Sequence, residues 1–429
     1  MSPGKVRQSE DDPGAALVTS VRAVEPSPRR VIIGYSGGPD STLLLALALR
    51  HFARRRVCAI HVHHGWHQDA DRWAEHCRST ARALGTRCEV VRVDARPRAG
   101  EGPEAAARAA RYRALGERVG PRDVLVTAHH RDDQAETLLL ALLRGGGVHG
   151  WSAMPVWRVF GGGVHVRPWL GIARAHLGAD LDRLGLPWLD DPANADPAFD
   201  RAWLRRDILP ALAARWPAVG ATLARAAVQA RDAAAAVDAL AARDYVHCRG
   251  AVDDTLECSS LGALEPRRQR ALLRWWIARA GRPRPPAAVI DEACRQLTRS
   301  AADRSPRIAW QGGEVRAWRG LAWLLAPRRP VDPSSVHVWT DPLQPLRLPD
   351  RVLPPHVLTV ANPGGERFGH IEVRYRRGGE RYRPAGAARS EPLGELLRRA
   401  GVPPWERERA PLIYADGELV AVPVLDGTL

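Results

Sequence analysis

The segment Ser36-Gly37-Gly38-Pro39-Asp40-Ser41 lies between an apolar run, Val31-Ile32-Ile33-Gly34-Tyr35, and the aliphatic stretch Thr42-Leu43-Leu44-Leu45. That order reads as buried strand, tight loop and helix. Two glycines and two hydroxyls fall at the crossing. Glycine lets the backbone approach an anion closely, and the free N–H groups of a helix start carry partial positive charge. Ser36 to Ser41 is therefore expected to cradle phosphate or pyrophosphate. No Gly-Lys-Ser/Thr follows, so this is not a Walker A loop. An ordinary Gly-rich strand-to-helix turn is the plainer alternative, and strand–loop–helix context alone does not exclude it.

Further apolar runs alternate with helical patterns. Residues 57–62 read as a strand running into His63-His64-Gly65, then a helix over 69–84, a strand over 88–93, a helix over 104–119 and a strand over 123–128. Alternation of this kind predicts α/β architecture with a doubly wound parallel sheet. Ligands bind such sheets beyond the carboxyl ends of the strands, so Ser36, His63 and His129 are expected to share one rim. The expected organisation is a polar N-terminal extension (residues 1–29), a nucleotide-binding domain (30–220) and a mainly helical domain (221–325). A Pro-rich linker (326–355) and a small α+β C-terminal domain (356–429) follow, the latter with a hairpin at Asp416-Gly417.

The chain has 429 residues, a formal charge of +15 and six cysteines without a CxxC pair. No zinc site or disulfide framework is suggested, and a cytoplasmic protein without a membrane span is expected. The positive charge favours a polyanionic partner. Lys5 is the sole lysine, so a cation acting on phosphates must be arginine or a backbone dipole.

Three more strings bear chemistry. In His129-His130-Arg131-Asp132-Asp133-Gln134-Ala135-Glu136-Thr137, paired imidazoles precede carboxylates that can orient a substrate or share Mg²⁺ with phosphate oxygens. Helix capping explains one of these acids but not the histidine pair. In Glu104-Ala105-Ala106-Ala107-Arg108-Ala109-Ala110-Arg111-Tyr112 the polar residues lie on neighbouring positions of one helix, which spacing alone reads as a solvated face. Arg144-Gly145-Gly146-Gly147-Val148-His149-Gly150 is a Gly-rich loop after a helix.

The first string resembles the SGGxDS loop of the N-type ATP pyrophosphatases. The four in this order resemble the tRNA(Ile)-lysidine synthetase family, with SGGxDS, HxxHG ending at His64-Gly65, ExxARxxRY and HHxxDDQxET. Further matches are Arg167-Pro168-Trp169-Leu170, Asp191-Pro192-Ala193-Asn194, Arg205-Arg206-Asp207-Ile208-Leu209-Pro210, Arg376-Arg377-Gly378-Gly379-Glu380-Arg381 and Gly401-Val402-Pro403-Pro404-Trp405. The likeness runs from about residue 30 to the C-terminus. Departures are Trp169 and Ala193 at a usual leucine and serine, Ala202 at a usual asparagine, and Glu391-Pro392 where basic residues are usual. The resemblance has no counterpart for the N-terminal extension.

The resemblance implies that ATP adenylates O2 of the wobble cytidine in a CAU-anticodon tRNA, and that free L-lysine then displaces AMP. It implies ATP contacts at Ser36, Gly37, Gly38, Pro39, Asp40 and Ser41, with Asp40 on Mg²⁺. Catalytic or substrate-binding candidates are Asp133, Glu136, His130, Arg108, Tyr112 and His64, with Asp133 first to take the lysine proton. Arg108 is expected on a phosphate or developing oxyanion. Arg205, Asn194, Arg377 and Arg381 are candidates for tRNA binding, and a homodimer is compatible with the reading. The alternatives are another tRNA-modifying or amidating enzyme on the same loop, or a non-catalytic RNA-binding relic.

Overall fold

The computed structural model describes residues 12–65, 67–97, 102–190, 199–299, 305–328, 330–361, 369–384 and 386–425. Asn194, its Asp191-to-Asn194 string and the first eleven residues lie outside them. The chain forms two compact units that part near Ala236.

The first unit opens with helix α1 (Pro13–Val24), then β1 (Arg30–Gly34), α2 (Pro39–His51), β2 (Val57–His63), α3 (Ala70–Ala83), β3 (Cys88–Arg92) and α4 (Pro103–Gly116). It continues with β4 (Asp123–Val126), α5 (Arg131–Leu143), α6 (Val148–Trp151), β5 (Trp157–Phe160), β6 (Gly163–Val166) and α7 (Arg174–Leu184). The sheet order is β3-β2-β1-β4-β6-β5, parallel throughout except for the antiparallel edge strand β5. Val31, Ile32 and Ile33 are all fully buried, as a strand covered on both faces requires. This is the doubly wound parallel architecture expected.

The N-terminal segment departs from expectation. It was read as a polar extension to residue 29, but residues 13–24 form a helix whose Leu17 and Val21 are fully buried in the core of Val31 and Ile33. Asp12 caps it through the Gly14 and Ala15 amides, and Pro13 occupies the first turn. The indole of Trp169, one of the departures above, donates to the Pro13 carbonyl at 3.0 Å. The large ring thus helps anchor the helix. Each buried aliphatic on α1 contributes about 1.5–3 kcal/mol.

At the amino end of the sheet Asp123 is fully buried. It accepts from Arg29 Nε and Nη2 at 3.0 and 2.9 Å, from Arg30, and from the Gly120 amide at 2.9 Å. Burial pushes its carboxyl up, but these donors overcome that and hold it well below the usual range. A depressed carboxylate pKa stabilises the fold above the unfolded value near 3.8 and is lost as pH falls below it. Asp123→Ala should cost about 1.5–3 kcal/mol in denaturant unfolding, because it removes the acceptor of the Gly120 amide and of charge-assisted bonds from two solvent-exposed arginines. A loss below about 1 kcal/mol would mean that both arginines find water.

The second unit carries a helical layer (Pro266–Arg279, Ala287–Arg299) against a sheet of Thr255–Glu257, Arg307–Trp310, Gly313–Trp318 and Leu321–Leu325. A further sheet joins Val336–Val338, Ile371–Tyr375, Pro411–Ala415 and Glu418–Ala421, ending in the expected Asp416-Gly417 hairpin. Residues 326–355 were expected to be a linker. Instead Val336–Val338 pairs with Ile371–Tyr375, and Trp339, Leu348 and Leu353 are buried in the same core. Their prolines mark turns between short strands, not an extended tether. The expected boundary at residue 220 falls near the start of helix Val219–Cys248, so the change of unit occurs within continuous helix.

Candidate functional site

Gly37 turns the chain out of β1 at φ +87°, and its carbonyl accepts the Leu189 amide at 2.9 Å. Gly38 then caps α2 without a side chain. Ser36 and Ser41 hydroxyls lie 3.0 Å apart, and the Ser36 amide donates to Ser41 Oγ at 3.3 Å. Ser41 and Thr42 hydroxyls each donate to the Gly38 carbonyl at 3.0 Å. The result is a short hydroxyl-lined loop over the amide-rich start of α2, which suits an anion. His61 of β2 meets the Tyr35 carbonyl at 3.0 Å, holding the loop's entry from the neighbouring strand.

Asp40 on the first turn of α2 is brought to the His129–Thr137 string. His130 Nε2 lies 3.9 Å from Asp40 Oδ2, and Arg174 Nε lies 3.7 Å from the same oxygen. Burial raises the Asp40 pKa against the pull of His130 and Arg174. His130 is the N-cap of α5. It accepts the Asp133 amide at 3.4 Å while Asp133 Oδ2 accepts the His130 amide at 3.0 Å, a reciprocal box that fixes both side chains.

Beside them Glu136 is fully buried, and Arg205 clamps it with bonds of 2.8 and 3.0 Å while reaching Asp133 Oδ1 at 3.2 Å. Burial raises the Glu136 pKa against this clamp. Arg205 was expected to grip tRNA; here it is committed to two carboxylates of the site. It sits on a wide π-helical turn, Leu204–Ile208, where the Leu209 amide bonds the carbonyl five residues back. Arg201, on the preceding turn, donates to Thr137 at 3.3 Å and lies 3.4 Å from Glu104 and 3.9 Å from Glu136. The neighbouring Ala202 is buried. A cavity of about 350 Å³ opens here, with Asp132, Glu136, Arg131, Arg174 and Arg205 facing Leu209, Pro210, Ala213 and Val219.

On α4, Arg108 and Arg111 lie 5.0 and 5.4 Å from the Tyr112 ring, and Arg158 of β5 lies 5.2 Å from it. The solvated face that spacing alone suggested is thus an inward cluster. Tyr112 packs edge-on to Phe160 and obliquely on His165. Thr127 Oγ1 is 2.8 Å from both His129 Nδ1 and His165 Nε2.

The nearby imidazoles are held neutral. Burial and then Arg111 push His64 down to about 4, burial and then Arg167 push His165 to about 2, and the same causes lower His129 well below its usual value. An unfolded chain binds these protons near pH 6.5 while the folded one refuses them. Stability is thus complete above pH 6.5 and falls as pH drops toward 4. Denaturant unfolding at pH 5.5 should show a loss of about 1 kcal/mol or more relative to pH 7.5, and His64→Gln should reduce that slope. A slope unchanged by the substitution would put His64 in water.

In the second unit a cavity of about 590 Å³ is lined by Arg307, Arg316, Arg328, Arg376, Arg377 and Arg409 around Trp405. Arg377 there donates to the Pro333 and Ser334 carbonyls at 2.8 and 2.9 Å, and Arg381 donates to Ser390. Arg377 thus holds the 333–334 segment and Arg381 the residue before its partner strand. Glu391-Pro392 forms a short strand against Arg381-Tyr382, with Glu391 paired to Arg399 at 2.9 Å.

Residue-by-residue reading gave no role to Arg201, Arg174, Arg158, Arg167 or His165, although Arg167 opens one of the family strings. The positions of Arg158, Arg174 and His165 carry no pattern, because only the folded sheet brings them in. Among the described residues no group of three or more His, Cys, Asp or Glu is placed to hold a metal, and no helix is long and apolar enough to cross a membrane.

Comparison with known proteins identifies the domains that carry these residues. Residues 15–212 match the PP-loop domain family, residues 256–323 the TilS substrate binding domain, and residues 371–427 the TilS substrate C-terminal domain. The chain is 42% identical over 397 residues to the tRNA(Ile)-lysidine synthase of Methylococcus capsulatus, spanning 91% of this chain and 90% of that protein. It is 41% identical to the Xanthomonas campestris enzyme (94% and 91% covered) and 40% identical to that of Pseudomonas aeruginosa (92% and 89%). The PP-loop match begins inside α1, so the helix read as an unplaced extension belongs to the matched domain. With identity of this order along more than nine-tenths of its length, the chain belongs to the tRNA(Ile)-lysidine synthase family.

Proposed function

We propose that this protein joins free L-lysine to C2 of the wobble cytidine of a CAU-anticodon tRNA(Ile), consuming ATP and releasing AMP and pyrophosphate in the cytoplasm. The observation that carries this reading is the meeting of two strings at one rim: Asp40 of the phosphate loop lies 3.9 Å from His130, which caps the acidic start of α5. One part suits a nucleotide's phosphates and the other an ammonium.

Cytidine O2 attacks the α-phosphorus and pyrophosphate leaves. The loop's amides and hydroxyls face the charge that develops on that leaving group. Adenylation turns a poor leaving oxygen into AMP. The neutral lysine ε-amine then attacks C2, AMP departs with the O2 oxygen, and the amine gives up a proton. An amine with a pKa near 10.4 arrives as ammonium and must first be deprotonated. We assign this to Asp133 and not Glu136, because Glu136 is fully buried with both oxygens on Arg205, whereas Asp133 is partly open and gives Arg205 a single, longer bond at 3.2 Å. His130 positions Asp133 through the capping box. The 350 Å³ cavity suits lysine itself: Asp132 for the α-ammonium, Arg131 and Arg174 for the α-carboxylate, and an apolar wall for four methylenes, with Asp133 outside its lining.

Asp40 fits a Mg²⁺ ion, which takes one or two carboxylates together with phosphate oxygens, since neither neighbouring cation is close enough to saturate it. When bound, Mg²⁺ would neutralise charge on the phosphates.

Incorporation of radiolabelled lysine into a CAU-anticodon tRNA(Ile) transcript, with ATP and Mg²⁺ and beside Asp40→Ala, tests the reading. Label that requires ATP and is lost in the variant is expected. ATP turnover without label would point to another acceptor, and neither label nor turnover would leave an RNA-binding relic.

A further inference from the structure

We propose that Arg108, Arg111, Arg158 and Arg167 form a seat for the phosphodiester backbone beside the target cytidine, separate from both the ATP loop and the lysine cavity. The inference rests on the lysidine-forming reading and adds an RNA-positioning site to it.

Three of these guanidiniums ring the face of Tyr112 at 5.0 to 5.4 Å. Among the described residues none of the four is bonded to a carboxylate. Arg167 is 3% exposed; its Nη1 donates to the Pro155 carbonyl at 2.9 Å, while its Nε has no partner. The buried ring nitrogens His64 Nδ1 and His165 Nδ1 also lack partners. A desolvated guanidinium without a counter-charge is costly, and unpaired buried donors add to that. Elsewhere in this unit the chain balances a buried charge, as Arg29 and Arg30 do for Asp123. Here the balancing anion has to come from a ligand.

Which anion follows from charge and from the neighbours. ATP phosphates already have the Ser36–Ser41 loop. The α-carboxylate of free lysine sits beside its own α-ammonium, which four arginines would repel. A phosphodiester carries no cation, and successive phosphates along a strand can engage several arginines together. The topology agrees: α4, β5 and the residue after β6 border the rim formed by the ends of β2 and β4. Single-stranded RNA splays its base into a pocket while its backbone is held by cations at the mouth. Arg158 is exposed at that mouth and Arg167 lies deep.

Binding of a hairpin holding only the anticodon stem and CAU loop to the full-length protein, titrated over salt, tests the seat with Arg158→Gln and Arg111→Gln. Each should weaken the hairpin about tenfold and lower the log–log salt slope by about one, while KM for lysine and for ATP stay within about twofold. Arg158→Lys, which keeps a point charge, should recover most of the affinity. Unchanged hairpin affinity and slope would overturn the proposal, as would a raised KM for lysine or ATP with hairpin binding intact. A wild-type protein that neither binds the hairpin nor labels tRNA would sink the lysidine reading itself. Wild-type labelling with unaffected variants would sink the seat alone.

Discussion

Gly37→Val is expected to lose at least about two orders of magnitude in ATP-dependent lysine transfer, the scale of removing a preorganised donor from a developing charge. Gly37 sits at φ +87°, where a side chain is strained whatever the space around it. The space is also taken: a Cβ would lie 2.9 Å from both Cys77 Sγ and Leu189 Cδ1. The backbone would relax by turning the loop, and the Ser36 and Gly38 amides would leave their directions. The strain itself costs about 1–3 kcal/mol, so the protein should still fold but with a lower melting temperature. Gly38→Ala is the comparison that separates the causes. Its φ of −74° suits alanine, and the nearest atom to a new Cβ is Ser36 Oγ at 3.5 Å. It should leave stability within about 0.5 kcal/mol. Pyrophosphate exchange that survives in Gly37→Val would show that the loop's left-handed turn is dispensable.

Glu136→Gln is expected to be nearly as damaging, and for a different reason. The carboxylate is fully buried and holds the Arg205 guanidinium by two bonds of 2.8 and 3.0 Å. The amide is isosteric but supplies one acceptor and a repelling donor. Breaking one side of such a pair costs about 3–5 kcal/mol when it strands a desolvated charge; Arg205 is one-third exposed, so the lower end applies. Arg205 also reaches Asp133, so its displacement should move the proposed base and reduce lysine transfer by about two orders of magnitude. Adding Arg205→Met should restore much of the stability but none of the activity. A double-mutant cycle with a coupling energy near zero would show that the clamp is not a unit.

The phosphate loop, the parallel sheet and the family strings were legible in the sequence because each is local. A strand buried on both faces must be a continuous apolar run, and a close anion cradle must spell glycine and hydroxyl within six residues. The Asp416-Gly417 hairpin was legible on the same ground. What was misread depends on neighbours far along the chain. Residues 1–29 read together as polar, yet Leu17, Val21 and Val24 fall at helical spacing behind an Asp-Pro start and pack into the core that also holds Val31, Ile33 and Trp169. Residues 326–355 look like a tether because short strands broken by proline carry no periodicity. Only pairing with Ile371–Tyr375 makes them structure.

The site divides the same way. The sequence by itself determined which groups are present: loop, histidines, carboxylates and arginines. Tertiary structure alone decided which of them act together. It placed Arg205 against Glu136 and Asp133, and drew Arg108, Arg111 and Tyr112 of α4 from a solvated face into a half-buried cluster. It also added Arg158 and Arg167 through the β5–β6 edge. Sequence patterns encode contacts between residues a few positions apart. A charge's partner and its solvent exposure are properties of segments that meet only after folding, and these decide whether an arginine grips RNA or a carboxylate.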